Sequence, residues 1–300
     1  METGTRRNTA LATSEALLAV VFWGASFVAV KEALREIAPA TVVWLRFAIG
    51  VAVLAAAVTA RRQLRLPRLR DLPYFALLGL LGVVVHHWLQ SNGLLTAQAS
   101  TSAWIIATIP VFAALLGWLV LREPLGRIGV LGIALAAAGV LLVVSRGEPD
   151  TLLRSNFGEP GDLLILLSAP NWAIFTVLSR RSLSDHPAAR MMFFVMAIGW
   201  LGTFVPFVAG PGFADIARLS PQGWLAVLFL GLACTGLGYI FWYDALEVLP
   251  VSRVTVLQYL QPLVAMAVAI AIGQETFVPI TLAGGAVIVA GVWLVNRRSR

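Results

Sequence analysis

Residues 110–139 read PVFAALLGWLVLREPLGRIGVLGIALAAAG, and residues 262–291 read PLVAMAVAIAIGQETFVPITLAGGAVIVAG. Pro110, Glu123, Gly132 and Gly139 of the first stretch return as Pro262, Glu275, Gly284 and Gly291 of the second, each displaced by 152 positions without a gap. Four landmarks at one offset mark a duplicated unit of about 140–150 residues. A proline inside a helix removes a backbone hydrogen bond and bends it. Pro110 and Pro262 are therefore expected to act as structural hinges.

The composition says where such a unit resides. Hydrophobic residues make up 59% of the 300 and charged residues 12%, about half the charged share of a soluble domain. The apolar stretches are long enough to cross a bilayer as helices. They fall at about 14–34, 39–60, 73–94, 98–121 and 125–145, then at 161–181, 188–209, 222–245, 250–272 and 277–296. The fold expected is an all-α integral membrane protein of ten helices, with five-helix units at 14–145 and 161–296 and a polar linker at 146–160. The basic residues lie between apolar stretches rather than on one face, which argues against nucleic acid as a partner. The single cysteine, Cys234, excludes an internal disulfide and disfavours a thiolate metal site. No small-residue cleavage site follows the first apolar segment, which is read as a retained helix.

Orientation follows from the loop cations. With the N-terminus inside, sixteen of the 22 Lys and Arg lie on the inner side and five (Lys31, Arg35, Arg146, Arg154, Arg218) outside, Arg46 being within a helix. Both termini are expected to be cytoplasmic, at the inner membrane. Five crossings per unit would make the second enter from the opposite side, giving an inverted pair suited to alternating access.

Trp23-Gly24-Ala25-Ser26-Phe27, Arg46 of the second helix, the Pro110…Glu123 and Pro262…Glu275 pairs, and Gly132 with Gly139 resemble EamA-type members of the drug/metabolite transporter superfamily. The likeness extends over residues 14–296. It implies a ten-helix exporter with its cavity between the halves and helices 5 and 10 packed away from it. Some members export amino acids, including aromatic ones, and others nucleosides or further metabolites.

Polar side chains inside a membrane face protein or water, so shared helix faces nominate a cavity. His87 and Gln90 share a face, with His86 alongside, and the offset carries His87 to Tyr239 and Gln90 to Trp242. Thr101, Trp104 and Thr108 align on the fourth helix, as do Thr255, Gln258 and Pro262 on the ninth, with Tyr259 and Gln261 beside them. Trp23 with Ser26, and Trp172 with Phe175, stand early in the first and sixth helices. The expected substrate site is therefore Trp23, Ser26, His86, His87, Gln90, Trp104, Thr108, Trp172, Tyr239, Trp242, Gln258, Tyr259 and Gln261. Plainer readings compete with it. Trp44, Trp200, Trp224 and Trp293 fit an interfacial belt, buried histidines commonly serve packing, and threonines bond their own helix. Arg46 lies about two turns from the outer helix end and reads as a structural residue within reach of the interface. Glu123 and Glu275 read as carboxylates at helix N-termini.

No helix carries an Asp or Glu at its centre and no Walker-type glycine loop is present, so neither a carboxylate proton relay nor ATP use is visible. Only His86 and His87 titrate near neutral pH inside the membrane, which leaves passive and weakly proton-coupled export both open. The reading is a secondary exporter of small metabolites, amino acids with aromatic or bulky apolar side chains foremost, needing neither cofactor nor metal. Its partners are the solute and membrane lipid, and it acts as a monomer or homodimer. Nucleosides or drug-like organic cations are the alternative cargo. A membrane-embedded enzyme fits worse, because two adjacent histidines without a carboxylate supply no nucleophile–base pair. The cation count predicts that a reporter active only outside the inner membrane, fused after Arg300, stays silent; strong activity would reverse the topology.

Overall fold

The computed structural model describes residues 8–122, 126–148, 158–183 and 187–296. Arg6, Arg7, Glu123, Arg154, Arg297, Arg298 and Arg300, and most of the expected linker, lie outside these residues. Among the described residues ten helices are long and apolar enough to span a membrane: α1 (Thr9–Ala33), α2 (Pro39–Ala60), α3 (Leu69–Gly93), α4 (Ala99–Val120), α5 (Arg127–Ser145), α6 (Pro160–Ser179), α7 (Ala189–Ala209), α8 (Pro221–Val248), α9 (Arg253–Ala271) and α10 (Pro279–Asn296). Proline opens α2, α6, α8 and α10. At a first helical position its missing N–H would have had no partner and its φ is already helical. A short helix, Gly212–Arg218, lies between α7 and α8.

Each hinge proline follows directly on a departure from regular α-helix. In α4 the first helical run ends at Ile106, residues 107–108 form a turn, and a second run starts at Ile109 with Pro110 in its first turn. In α9 a tighter turn over Gln258–Leu260 precedes a run that starts at Gln261 with Pro262 in its first turn. The irregular turn lies just before each proline, because proline is tolerated in the first turn of a run and not inside one. A second paired irregularity was not foreseen. α3 widens to i→i+5 bonding over Leu80–Val85, and α8 does so over Phe229–Leu237. Adding 152 to the first range gives 232–237, inside the second.

Close helix contacts follow the same offset. A Cβ on Gly132 would stand 2.6 Å from the Gly291 carbonyl oxygen, and one on Gly139 would stand 2.8 Å from that of Gly284. α5 and α10 therefore run antiparallel, and positions 152 apart exchange partners: Gly132 faces the equivalent of Gly139, and Gly139 the equivalent of Gly132. Likewise Gly79 of α3 meets Gly199 of α7, while Gly231 of α8, the equivalent of Gly79, meets Ile49 and the Arg46 carbonyl of α2. In lipid, such backbone approach supplies the packing that apolar burial supplies in water. A leucine at Gly139 must push α10 away, since overfilling a packed core costs about 1–3 kcal/mol. Gly139→Leu is expected to lower the melting temperature of the detergent-solubilised protein by several degrees. Gly273→Asn should leave it unchanged, because Gly273 has a φ of +70° that Asn also adopts and no atom within 4 Å of its missing Cβ.

Candidate functional site

The two widened segments lend carbonyls to side chains of the opposite unit. Their backbone bonds run i→i+5, and one carbonyl in each takes a side chain as well. In α8 the Cys234 oxygen accepts the Trp23 indole N–H at 2.9 Å. In α3 the Leu81 oxygen accepts the Asn171 side-chain amide at 2.8 Å. The first helix of each unit is thereby tied to the third helix of the other. Around the first tie the Trp23 ring lies 5.4 Å from that of Tyr239 and 5.1 Å from that of Trp242. Around the second, the His86 ring lies 4.4 Å from Trp172 and 5.1 Å from His87, and Trp172 lies 4.8 Å from Phe175.

Hydrogen bonds fix the two imidazoles. His86 Nδ1 lies 3.3 Å from the Ser168 carbonyl, which can only accept, so the proton is on Nδ1. His87 Nδ1 lies 3.5 Å from an Arg46 Nη1, which can only donate. The His87 proton is therefore on Nε2, a buried atom with no acceptor. Arg46 Nε donates to Thr235 Oγ1 at 3.3 Å, and Thr235 in turn donates to the Leu230 carbonyl at 3.0 Å. Arg46 therefore does not extend to the interface that its depth would let it reach. Its side chain is 5% exposed and points between α3 and α8, because its helix face turns inward there whatever its distance from the helix end.

The thirteen expected site residues do not share one wall. Trp23, Tyr239 and Trp242 form one ring cluster, and His86, His87 and Trp172 another. Trp104 lies elsewhere, packed on Gly285 of α10. With Tyr259, Leu263 and Leu282 it lines an apolar cavity of about 530 Å³ between α4, α9 and α10. Its direction is set by the missing side chain at Gly285, which periodicity along α4 does not reveal. Ser26 and Thr108 donate to their own helix, at the Trp23 and Ile105 carbonyls. Gln90, Gln258 and Gln261 are half-buried. Trp44 stacks on Phe207 at 4.2 Å and Trp200 is 5.8 Å from Trp44. Asn171, Thr235 and Arg46 were missed as site residues. Their one sequence signal is the glycine spacing (Gly79, Gly82, Gly231, Gly236) around the segments that receive them.

One end of the bundle is laced by carboxylates. Glu36 accepts from the Ser220 amide and hydroxyl at 2.7 and 2.6 Å, at the start of α8. Asp215 accepts from the Ala38 amide and Thr41 hydroxyl at 2.9 and 2.8 Å, at the start of α2. Glu275 accepts from the Ala99 and Ser100 amides at 2.7 and 3.3 Å, at the start of α4. Glu275 thus sits at a helix N-terminus as expected, but across the bundle rather than at that of α10. Glu32 bridges Gln222 and Gln274, and Lys31 donates to the Ala97 carbonyl at 2.6 Å. At the other end Arg61 grips Asp244 with two bonds, of 2.7 and 2.6 Å, joining α2 to α8. That carboxylate raises the Arg61 guanidinium above its ordinary value.

The sequence model of the EamA-like transporter family matches residues 12–145 and again 159–297. An uncharacterized transporter of Archaeoglobus fulgidus is 28% identical over 94% of this chain and 96% of its own length. A probable terminal-alkyne amino-acid exporter of Streptantibioticus cattleyicolor is 28% identical over 94% and 92%. A probable amino-acid metabolite efflux pump of Salmonella typhimurium is 29% identical over 93% and 92%. A solved crystal structure superposes with a TM-score of 0.66, covering 95% of this chain and 98% of the other at 22% identity, which shows a shared fold.

The Ser220 hydroxyl, then its amide, holds the Glu36 carboxyl below the ordinary carboxylate range. A lowered acid pKa stabilises the fold fully above the unfolded value, about 4.3 for Glu, and the gain is lost as pH falls through the lowered value. Glu36→Gln should therefore melt below the wild type at pH 7, with the gap closing as the pH falls through the lowered value. A gap that does not change with pH would contradict the charged cap.

Proposed function

This chain belongs to the EamA-like transporter family, which its two halves match in turn, and on that footing we propose a secondary exporter of small metabolites working by alternating access. The cargo we propose is amino acids, with a preference for aromatic or bulky apolar side chains. Two similar proteins carry names of amino-acid or amino-acid-metabolite exporters. The observation that carries the reading is the pair of aromatic clusters, Trp23 with Tyr239 and Trp242, and Trp172 with His86. Each stands where a side chain of one half takes a carbonyl of the other. A solute between the halves would meet ring faces and half-buried amides together. The exchanged glycine contacts of α5 with α10 and of α3 and α7 with α8 and α2 support treating the halves, 14–145 and 161–296, as an inverted pair. In that arrangement the Glu36 end is external, the Arg61 end is cytoplasmic with both termini, and the membrane is the inner one.

An aromatic pair contributes about 0.5–1.5 kcal/mol beyond burial, equivalent to about a two- to twelvefold preference per contact. In liposomes, the purified protein is expected to exchange labelled phenylalanine faster than valine. Trp172→Ala should narrow that difference by about the same factor while valine exchange holds. Trp104→Ala, which alters the separate apolar cavity, should change both alike. Nucleoside or organic-cation exchange without amino-acid exchange would transfer the site to the other cargo.

A further inference from the structure

The polar centre holds a positive charge that no carboxylate among the described residues answers. Arg46 is buried at 5% exposure in a helix that crosses the membrane. An arginine remains protonated in such a place and offers five N–H groups. Nε reaches the Thr235 hydroxyl at 3.3 Å and one Nη1 hydrogen reaches His87 at 3.5 Å, both long for hydrogen bonds. The Phe47 ring lies 5.5 Å away. From α3 the facing groups are His86 and His87, and from α8 they are Thr235, Cys234 and Tyr239, all neutral in the tautomers assigned above. Among the described residues no carboxylate pairs with the guanidinium, and its three other N–H groups find no protein acceptor. Beside it His87 Nε2, buried, also lacks one.

Leaving a buried ion unpaired is strongly unfavourable, and ionisable groups kept inside membranes serve ions or substrates. We propose that the transported solute supplies the missing anion: Arg46 binds a carboxylate of the substrate, and Thr235 and His87 hold the guanidinium in place. The inference rests on the exporter reading and narrows its cargo to solutes bearing a carboxylate. Two or more free N–H groups on a planar fork suit the two oxygens of that group, and lysine does not reproduce the fork.

The test uses the full chain in liposomes and measures inhibition of labelled phenylalanine exchange by phenylalanine, 3-phenylpropionate and phenylalaninol. The alcohol should inhibit at least about tenfold more weakly than the acids, as expected for losing a charge-assisted hydrogen bond. Arg46→Gln should erase that difference, and Arg46→Lys should keep part of it. Equal inhibition by acid and alcohol in the wild type, or equal loss toward both in Arg46→Gln, overturns the inference while leaving amino-acid export standing. If phenylalanine is not exchanged but 3-phenylpropionate is, and Arg46→Gln abolishes it, the carboxylate site stands and the amino-acid cargo falls. Exchange confined to neutral nucleosides or cations overturns both. Should Arg46→Gln not fold, the wild type still decides. A melting temperature raised by 3-phenylpropionate and not by 3-phenylpropanol supports the site, and equal shifts overturn it.

Discussion

A backbone carbonyl released inside a membrane has no water to accept from, so every departure from regular helix must find a partner in the protein. The widened turns of α3 and α8 are such departures at matching places: the Leu81 oxygen takes the His86 amide, and Asn171 and Trp23 add bonds from the opposite half. Much else follows from this pair of bonds. They set α1 against α8 and α6 against α3. They turn the Trp23 and Trp172 rings toward Tyr239, Trp242 and His86, and they bring Thr235 and His87 to Arg46. The irregular backbone thus lies where the aromatic and polar side chains converge, as is common for such segments at functional sites.

The two ends of the bundle are held differently. Beyond the Glu36 end, acidic side chains of one connection cap helices that begin at another, so three helix starts depend on residues distant in the chain. These are polar bonds between connections, unlike the glycine-lined contact of α5 with α10, which offers no space for a sliding side chain. The alternating access proposed above would have to release bonds around Glu36, Asp215 and Glu275, while the α5–α10 seam would stay closed. At the Arg61 end, the grip on Asp244 joins α2, which carries Arg46, to α8, which holds its Thr235 partner.

Much of this was legible in the residues. Ten apolar stretches, the Pro–Glu–Gly–Gly landmarks and short loops place every helix within a few positions, because length and hydropathy alone decide what crosses a membrane. The Trp23 partnership with Tyr239 and Trp242 belongs to the same nominated set. The direction of single side chains was less accessible. Trp104 shares a helical face with Thr101 and Thr108 but packs where Gly285 leaves room, a fact held by another helix 181 positions away. Arg46 looked like an interfacial residue by its depth, whereas its rotation about α2 decides its fate. The widened turns have no periodic signature, since i→i+5 bonding shifts the face by one residue within a run that remains uniformly apolar.

Distance measurement between the ends tests the coupling of the halves most directly. Cys234 is buried, so spin labels can be placed on cysteines introduced at exposed positions, Leu95 with Phe213 at the Glu36 end and Leu66 with Pro250 at the Arg61 end. In liposomes, saturating phenylalanine is expected to lengthen the Leu95–Phe213 distance in part of the population and to shorten the Leu66–Pro250 distance in the same measure. Distances that both stay fixed, or that change in the same direction, would contradict alternating access between these two halves.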